Sequence, residues 1–281
     1  MLVSNTSGNN NVAIGSSAMV VNSTGSGNTA TGNSSLNASS TGSNNTAIGM
    51  GAVRHNTTGS GNTGCGHNTL FFNEPGSNNT AIGNNADVSG SAQTNSTTIG
   101  NGTTVNLSNK VRIGNSSVTV IEGQVAYSFP SDARFKFNIQ DGQVPGLALI
   151  TQLRPVTYQF DSRKFDEHLM QHFPDTLRRQ RIEGQDYSES STLVQTGFLA
   201  QEVEHVCKDL GFSFSGLHVP VNEVDNYGLA YSSFVPLLVK AIQEQQAVID
   251  GLASEIERLK NLERQLEKVT AALQGLGVEL R

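Results

Sequence analysis

Ser131 and Lys136 lie five residues apart in the stretch Ser-Asp-Ala-Arg-Phe-Lys. A serine hydroxyl is a weak nucleophile until a base removes its proton. A lysine amine can serve as that base where burial or a neighbouring cation favours its neutral form. Arg134 is a candidate for such a neighbour. Because the pair lies where the chain changes composition, it suggests a site at which the chain is cut. The residues alone leave two alternatives open: Ser-Asp is also an ordinary helix N-cap signal, and Arg134 and Lys136 could be solvated.

The two sides of this junction differ sharply in charge. From Met1 to Asn109 the charged side chains are Arg54, Glu74 and Asp87, and nearly all others follow. The net charge of -6 argues against a general nucleic-acid binder, because such proteins present a basic face. We therefore expect no nucleic-acid partner.

Cysteine content and hydropathy exclude further classes. Cys65 and Cys207 are too few for a disulfide framework. The sequence shows no run of 18 apolar residues, which would predict a membrane span. It also shows no basic region followed by an apolar core, which would predict a signal peptide. Two interpretations stay open: a virion part made in the cytoplasm, or a fragment of a longer secreted protein.

A 17-residue repeat organises residues 1–114. A glycine closes the motif Asn-Thr-Ala-Ile-Gly or a variant of it, and a shorter step of 14 leads to the last one: Gly15, Gly32, Gly49, Gly66, Gly83, Gly100 and Gly114. The position before each glycine is the first slot: Ile14, Thr31, Ile48, Cys65, Ile82, Ile99 and Ile113. The fourth position after it is the second slot: Met19, Leu36, Val53, Leu70, Asp87 and Thr104. A fixed period of this size predicts stacked structural units.

Short alternating segments between glycine turns predict the coils of a β-solenoid. Two apolar slots per coil are too few for a core within one chain, so we expect several chains, most simply three, to bury these slots against each other. Cys65 is then a small buried hydrophobic residue. Residues 115–130 form a β-rich connector that ends at Phe129-Pro130, since proline cannot continue a strand ladder. The repeat motif resembles the head repeats of trimeric autotransporter adhesins and related surface fibres, which are trimeric parallel β-rolls.

Residues 131–235 predict a small α+β domain. Helices are expected near Pro145–Leu153 and Ala200–Val206, and strands at Val156–Phe160 and Leu193–Phe198, with short β segments around 217–221 and 227–231. The polar stretch 161–191 predicts one or two short helices broken at Pro174, forming a surface insertion.

Residues 236–278 predict a coiled coil within a helix that begins at about Phe234. Apolar positions recur at alternating steps of four and three: Leu238, Ile242, Gln245, Ile249, Leu252, Ile256, Leu259, then Leu262, Leu266, Val269, Leu273 and Leu276. The two successive steps of three, from Ile256 to Leu259 and from Leu259 to Leu262, are a stammer. Isoleucine and leucine at alternate seam positions favour two strands, whereas the polar Gln245 and the expected trimeric shaft favour three. A single amphipathic helix that packs on its own domain is the alternative.

Four features together resemble the C-terminal intramolecular chaperone, or tailspike chaperone auto-peptidase, of endosialidase-type phage tail spikes. They are Ser131–Lys136, Leu153–Tyr158, Gly197–Val203 and the coiled-coil end, so the resemblance extends to about Leu273. It implies a domain that trimerises, aligns three copies of the preceding fibre and then removes itself. The scissile bond would be Pro130–Ser131, with Ser131 as nucleophile and Lys136 as general base. We assign Asp132 and Arg134 to positioning.

This resemblance implies a homotrimer of a virion tail fibre or spike, or of a bacterial surface fibre, that works without a cofactor or metal. A glycan or cell-surface target is compatible with such a fibre. The rival interpretation is an adhesive or structural fibre with a permanent trimeric cap that is never cut. A membrane-tethered regulator of the myelin regulatory factor type would need a DNA-binding domain and a membrane span, and neither is visible.

Two other clusters are candidates for a metal site and a phosphate site. His168 and His172 are spaced so that both could face a metal from one helix, but without an evident third ligand they are interpreted as a solvated pair. Arg178, Arg179 and Arg181 suggest a phosphate site, but Glu183 and Asp186 follow, so they are interpreted as a surface face.

Overall fold

A computed structural model of the chain describes residues 3–90 and 92–275. The chain divides into two compact units, which we call the shaft unit and the helical unit. The shaft unit contains Met1–Ser128, Thr157–Thr196 and Pro220–Asn226. The helical unit contains Phe129–Val156, Gly197–Val219 and Tyr227–Arg281. Segments that follow the junction in sequence therefore belong to the same unit as the repeats.

The repeats form a parallel β-solenoid, which confirms the predicted fold class for this part. The strands are β1 Val12–Ile14, β2 Thr29–Thr31, β3 Thr46–Ile48, β4 Thr63–Cys65, β5 Thr80–Ile82, β6 Asp87–Val88, β7 Thr97–Ile99, β8 Thr104–Val105 and β9 Val111–Ile113. One sheet has the order β1-β2-β3-β4-β5-β7-β9, and β6 pairs with β8. Pairing follows the repeat, since Thr46 lies beside Thr63 in the next coil.

A column of buried asparagines links successive coils by hydrogen bonds. The backbone N–H of Asn45 donates to the side-chain oxygen of Asn28 at 2.9 Å, and that of Asn62 donates to Asn45 at 2.9 Å. The Asn45 amide nitrogen also donates to the Gly59 carbonyl at 2.9 Å. The same pattern recurs at Asn79. These bonds satisfy polar groups that would otherwise be costly to bury.

The solenoid has a core of its own, so the expectation that one chain could not supply a core is wrong. Second-slot side chains are fully buried together with alanines: Met19, Leu36, Val53 and Leu70 with Ala18, Ala30, Ala47, Ala52, Ala81 and Ala86. The alanines were not counted as core positions in the sequence, although their small side chains fit inside a narrow coil.

The first slot lies on the outer face of the main sheet and is exposed in the single chain. Ile14, Ile48, Ile82, Ile99 and Ile113 are all among the exposed large hydrophobic residues. Cys65 is exposed as well, so its interpretation as a buried residue is wrong for the single chain. We call this row of side chains the outer stripe.

The stretch 161–191 folds into helices of the shaft unit. These are α2 Ser162–Leu169, α3 Asp175–Glu183 and α4 Ser188–Thr192, flanked by β10 Val156–Gln159 and β11 Val194–Gly197, which pair. Asp161 caps α2 by accepting from the Lys164 N–H at 2.9 Å. The predicted break at Pro174 is confirmed, because α2 ends before it and α3 begins after it.

The helical unit packs around its own apolar core. It contains α1 Leu147–Ile150, α5 Ala200–Asp209, β12 Leu217–His218, β13 Gly228–Leu229 and α6 Phe234–Gly275. The core includes Leu149, Val203, Phe214, Phe234 and Leu237. The Glu244 carboxylate of α6 accepts from the Leu147 N–H at 2.8 Å and so fixes the start of α1.

The long C-terminal helix is confirmed from Phe234 onward. The predicted seam residues from Leu238 to Val269 that belong to the large hydrophobic class are about half exposed in the single chain. Leu276 and the predicted end of the coiled coil at 278 lie outside the described residues. Along the part of the chain that the structure describes, we find no helix with the length and apolar character that crossing a bilayer requires.

The prediction of a β-rich connector over residues 115–130 is wrong: the structure describes all of these residues and places no strand among them. Apolar side chains such as Val120 and Val125 are exposed there, and no neighbouring strand pairs with the segment. The predicted domain boundaries remain a prediction.

Candidate active site

A short turn brings Ser131 and Lys136 together. Residues Ala133–Phe135 form a single 3-10 turn, and the Lys136 N–H donates to the Ala133 carbonyl at 3.1 Å. The turn folds the chain back, so the Lys136 Nζ donates to the Ser131 Oγ at 2.7 Å. A lysine within hydrogen-bond distance of a serine hydroxyl has the geometry that a nucleophile and its base require.

Asp132 builds this turn. Its carboxylate accepts from the Arg134 N–H at 2.9 Å, so the N-cap signal belongs to Asp132 and the Ser131 hydroxyl stays free to bond Lys136. The same carboxylate accepts from the Arg134 guanidinium at 2.9 Å and 2.5 Å. These hydrogen bonds lower the pKa of Asp132 and raise the pKa of Arg134. Asp132 and Arg134 therefore fix the backbone between the two reactive groups.

The segment around the pair is open to solvent. Within the described residues, the stretch 129–143 contains no buried side chain. It nevertheless displays large apolar groups: Phe129, Phe135, Phe137 and Ile139 are each at least 70% exposed. Exposed apolar side chains of this kind mark a candidate contact region. Burial would also favour the neutral amine that a lysine base needs.

The histidine cluster and the arginine cluster both lie in the shaft unit, where some of their members make structural contacts. The His168 Nε2 lies 3.1 Å from the Asp225 carbonyl oxygen. Over the described residues, no group of three His, Cys, Asp or Glu side chains is arranged to hold a metal ion. Arg178 pairs with Asp175 at 2.7 Å, and Arg179 is exposed. Arg181 was interpreted as part of a surface face, which is wrong: its side chain is 4% exposed and pairs with Asp87.

Asp87 is the residue that sequence reasoning missed. It occupies a second slot, lies in the coil interior and is fully buried beside Arg181. Burial raises the pKa of Asp87 to about 6, against the opposing effect of the Arg181 charge. The signal was present in the sequence, since a carboxylate stands where the four preceding coils have Met19, Leu36, Val53 and Leu70. A buried charge requires a partner, so the position of Asp87 predicts a basic residue beside it, although the repeat does not say which one.

A match to a known protein family begins at Ser131. Residues 131–212 match the family described as chaperone of endosialidase, whose name also marks it as a peptidase. The resemblance inferred from the sequence motifs is thereby confirmed for these residues, and the β-solenoid precedes them. The match supports a chaperone role for the C-terminal part of the chain. No curated protein matched the chain.

Proposed function

We propose that the part of the chain that begins at Ser131 is an intramolecular chaperone that trimerises, aligns the solenoid and then cuts itself off at Pro130–Ser131. The observation that carries the proposal is that the family match and the contact of a lysine with a serine hydroxyl coincide at Ser131. The family match begins at Ser131, and the Ser131 hydroxyl is the one that Lys136 contacts at 2.7 Å. In this proposal Asp132 and Arg134 are positioning residues, because they hold the turn and do not touch the scissile bond.

The reaction needs no bound substrate. Neutral Lys136 removes the hydroxyl proton of Ser131, and the Oγ attacks the carbonyl carbon of Pro130. The C–N bond between Pro130 and Ser131 breaks, the released amine takes a proton, and an ester links the Pro130 acyl group to Oγ. Water then hydrolyses the ester, which leaves a carboxylate on Pro130 and a free amine and hydroxyl on Ser131. The backbone holds the reacting atoms together, which supplies much of the proximity effect.

Assembly supports this chemistry in two ways. The outer stripe and the seam of α6 are long apolar rows that the single chain leaves exposed, and both would be covered in a trimer. The exposed apolar groups of 129–143 would be covered with them, and Lys136 would then lose water. Cutting would therefore follow trimer formation. Such a fibre belongs on a virion tail or a bacterial surface.

The test is denaturing electrophoresis of the purified protein, with N-terminal sequencing of any smaller band. We expect two fragments, of residues 1–130 and 131–281, and a C-terminal fragment that begins at Ser131. Ser131→Ala removes the nucleophile and Lys136→Met removes the base, so both variants should stay intact while their oligomeric state is unchanged. Lys164→Met is the matched control, because Lys164 is an exposed lysine outside the turn. Cleavage that persists in Ser131→Ala, or begins at another residue, would disprove the proposed chemistry.

A non-cleaving fibre with a permanent cap is the second candidate. The observation that favours it is Pro130 itself, whose ring fixes its own backbone and restricts how its carbonyl can approach the hydroxyl. An intact wild-type chain in a folded trimer would support this candidate and overturn self-cleavage.

A further inference from the structure

The proposed cut would divide the shaft unit itself. The repeats lie before residue 130, whereas Thr157–Thr196 and Pro220–Asn226 of the same compact unit lie after residue 131. Breaking the Pro130–Ser131 bond removes the covalent link between these parts and leaves their packing intact. What happens to the C-terminal fragment after the cut then depends on the noncovalent contacts inside this unit.

The centre of these contacts is a buried ion pair. The Arg181 guanidinium donates to the Asp87 carboxylate at 3.0 Å, and the two side chains are 4% and 0% exposed. Arg181 also donates to the Asn85 carbonyl at 3.2 Å. Removing one member of a buried pair leaves an uncompensated charge, so such a pair disfavours any arrangement in which either residue is buried without the other.

Aromatic and polar contacts surround the pair. The Phe173 ring lies 4.9 Å from the Phe72 ring, and the Arg181 guanidinium lies 4.8 Å from the Phe173 centroid. Further contacts join the last coil to the same segments: Ser116 with Asp166, Asn115 with Gln185 at 2.8 Å, Arg112 with the Phe165 ring at 5.0 Å, and Lys110 with Asp225 at 3.7 Å. The contact region is thus continuous along one end of the solenoid.

The repeats depart from their own pattern where these contacts occur. Asp87 occupies the position of Leu70, and Phe72 occupies the position of Ala38 two coils earlier. The final step of the repeat shortens to 14 residues, from Gly100 to Gly114. Lys110 and Arg112 lie in that shortened coil, and Asn115 directly follows it. The first coils lack these residues, so the divergent positions coincide with the surface that Thr157–Thr196 covers.

We propose that Thr157–Thr196 and Pro220–Asn226 are a docking surface that retains the C-terminal fragment on the end of the solenoid after the chain is cut, with Asp87 and Arg181 as its lock. This inference rests on the proposed self-cleavage for its biological setting. It makes cutting and release two separate events: the first breaks one covalent bond, and the second requires the buried pair to separate.

The test uses the full chain with Ser131→Ala and the recognition sequence of a site-specific protease inserted after Gly123, an exposed residue of the connector. The added protease makes the cut, so the result does not depend on whether the chain cuts itself. After cutting, size-exclusion chromatography under native conditions should show both fragments in one peak, although denaturing electrophoresis separates them. Fragments that separate at once after complete cutting, at micromolar concentration, would overturn the inference.

Asp87→Leu is the variant that isolates the lock. It restores the residue found at Leu36 and Leu70, so the solenoid keeps its core while Arg181 loses its partner. We expect the dissociation constant of the cut fragments to rise about 100-fold or more. Arg179→Leu is the matched control, since Arg179 lies on the same helix and is exposed, and it should leave the constant unchanged.

A second pair of results decides the role of the lock. Asp87→Leu combined with Arg181→Leu removes the uncompensated charge and should recover most of the lost affinity. Equal effects of Asp87→Leu and Arg179→Leu would overturn the assignment of the lock. Circular dichroism of the uncut variants checks that a loss of affinity does not reflect an unfolded solenoid.

Discussion

The solenoid and the segment 129–143 meet solvent in opposite ways. Most solenoid coils bury alanine, a second-slot residue and an asparagine, and the asparagine bonds reach the neighbouring coils. The segment 129–143 buries no side chain among its described residues and displays four large apolar ones. Ser131 and Lys136 thus lie in a segment that the single chain leaves unpacked, whereas the repeats pack around a core of their own. A substitution should therefore affect folding in the first region and cleavage in the second.

The largest contrast is expected from one substitution made in both regions. Gly66 has a φ of +135°, and a Cβ there would lie 2.7 Å from the Gly83 carbonyl oxygen of the next coil. Gly66→Ala should therefore lower the free energy of unfolding by about 4 kcal/mol, because a backbone clash adds to a disfavoured conformation. Gly142 in the other region has open space around its Cα, so Gly142→Ala is the control and should unfold like wild type. Urea denaturation followed by circular dichroism measures both, and equal midpoints would contradict the comparison.

The asparagine column should give the next largest effect. Asn45→Ala leaves the Asn62 N–H without its acceptor inside the coil, and the Gly59 carbonyl keeps only the bond from the Asn56 amide. We expect a loss of about 3 kcal/mol in the free energy of unfolding, from unsatisfied buried groups. Gln140→Ala removes an exposed amide from the other region and should cost less than about 0.5 kcal/mol. A tolerated Asn45→Ala would show that the column does not hold the coils together.

Asp87 should give the shaft unit a measurable pH dependence. Burial raises the pKa of Asp87 from 3.8 to about 6, so between these pH values the folded state binds a proton that the unfolded state has lost. The corresponding stability is complete below about pH 4 and is lost as the pH rises through 6. Relative to Asp87→Asn, which cannot titrate, the wild type should lose on the order of 3 kcal/mol across this window at most. Burial also raises the pKa of Asp166, which is present in both proteins and cancels in the difference.

The smallest effect on folding is expected at the turn itself. Asp132→Asn weakens the hydrogen bonds to Arg134, but these bonds lie at the solvent-exposed surface, so they contribute little to stability. The thermal unfolding temperature of the variant should therefore match that of the wild type. Cleavage should nevertheless slow, because the turn that holds Lys136 against Ser131 is less well fixed. The rate is followed by electrophoresis over time, and Asp141→Asn is the exposed control. An unchanged rate in Asp132→Asn would show that Asp132 is not a positioning residue.

The features that repeat, such as strand pairing, could be predicted from the sequence. The contacts made where a coil departs from the repeat, such as that of Asp87 with Arg181, could not. A period of 17 fixes strand pairing, because it places Thr46 beside Thr63 without any knowledge of side-chain packing. It also marked Leu36 and Leu70 as an apolar column, although their burial within one chain was not foreseen. The asparagine column is equally periodic in the sequence, but periodicity alone does not distinguish a buried asparagine from one in a turn.

The reactive pair was predictable because it is local. Five residues of chain and one short turn suffice to join Ser131 to Lys136, so spacing and capping signals describe it. The contact of Arg181 with Asp87 joins residues 94 positions apart, and α3 alone gives no sign of which surface it covers. Only the position of Asp87 in an otherwise apolar column pointed to it.

The identity of successive coils has a consequence for alignment. A helix that slid along the solenoid by one coil would meet nearly the same backbone and the same asparagines. At that position, however, Arg181 would face Leu70, and its guanidinium would be buried without a counter-ion. Asp87 therefore specifies the register of α3 on the solenoid, because it offers Arg181 a counter-ion at one coil and not at the preceding one.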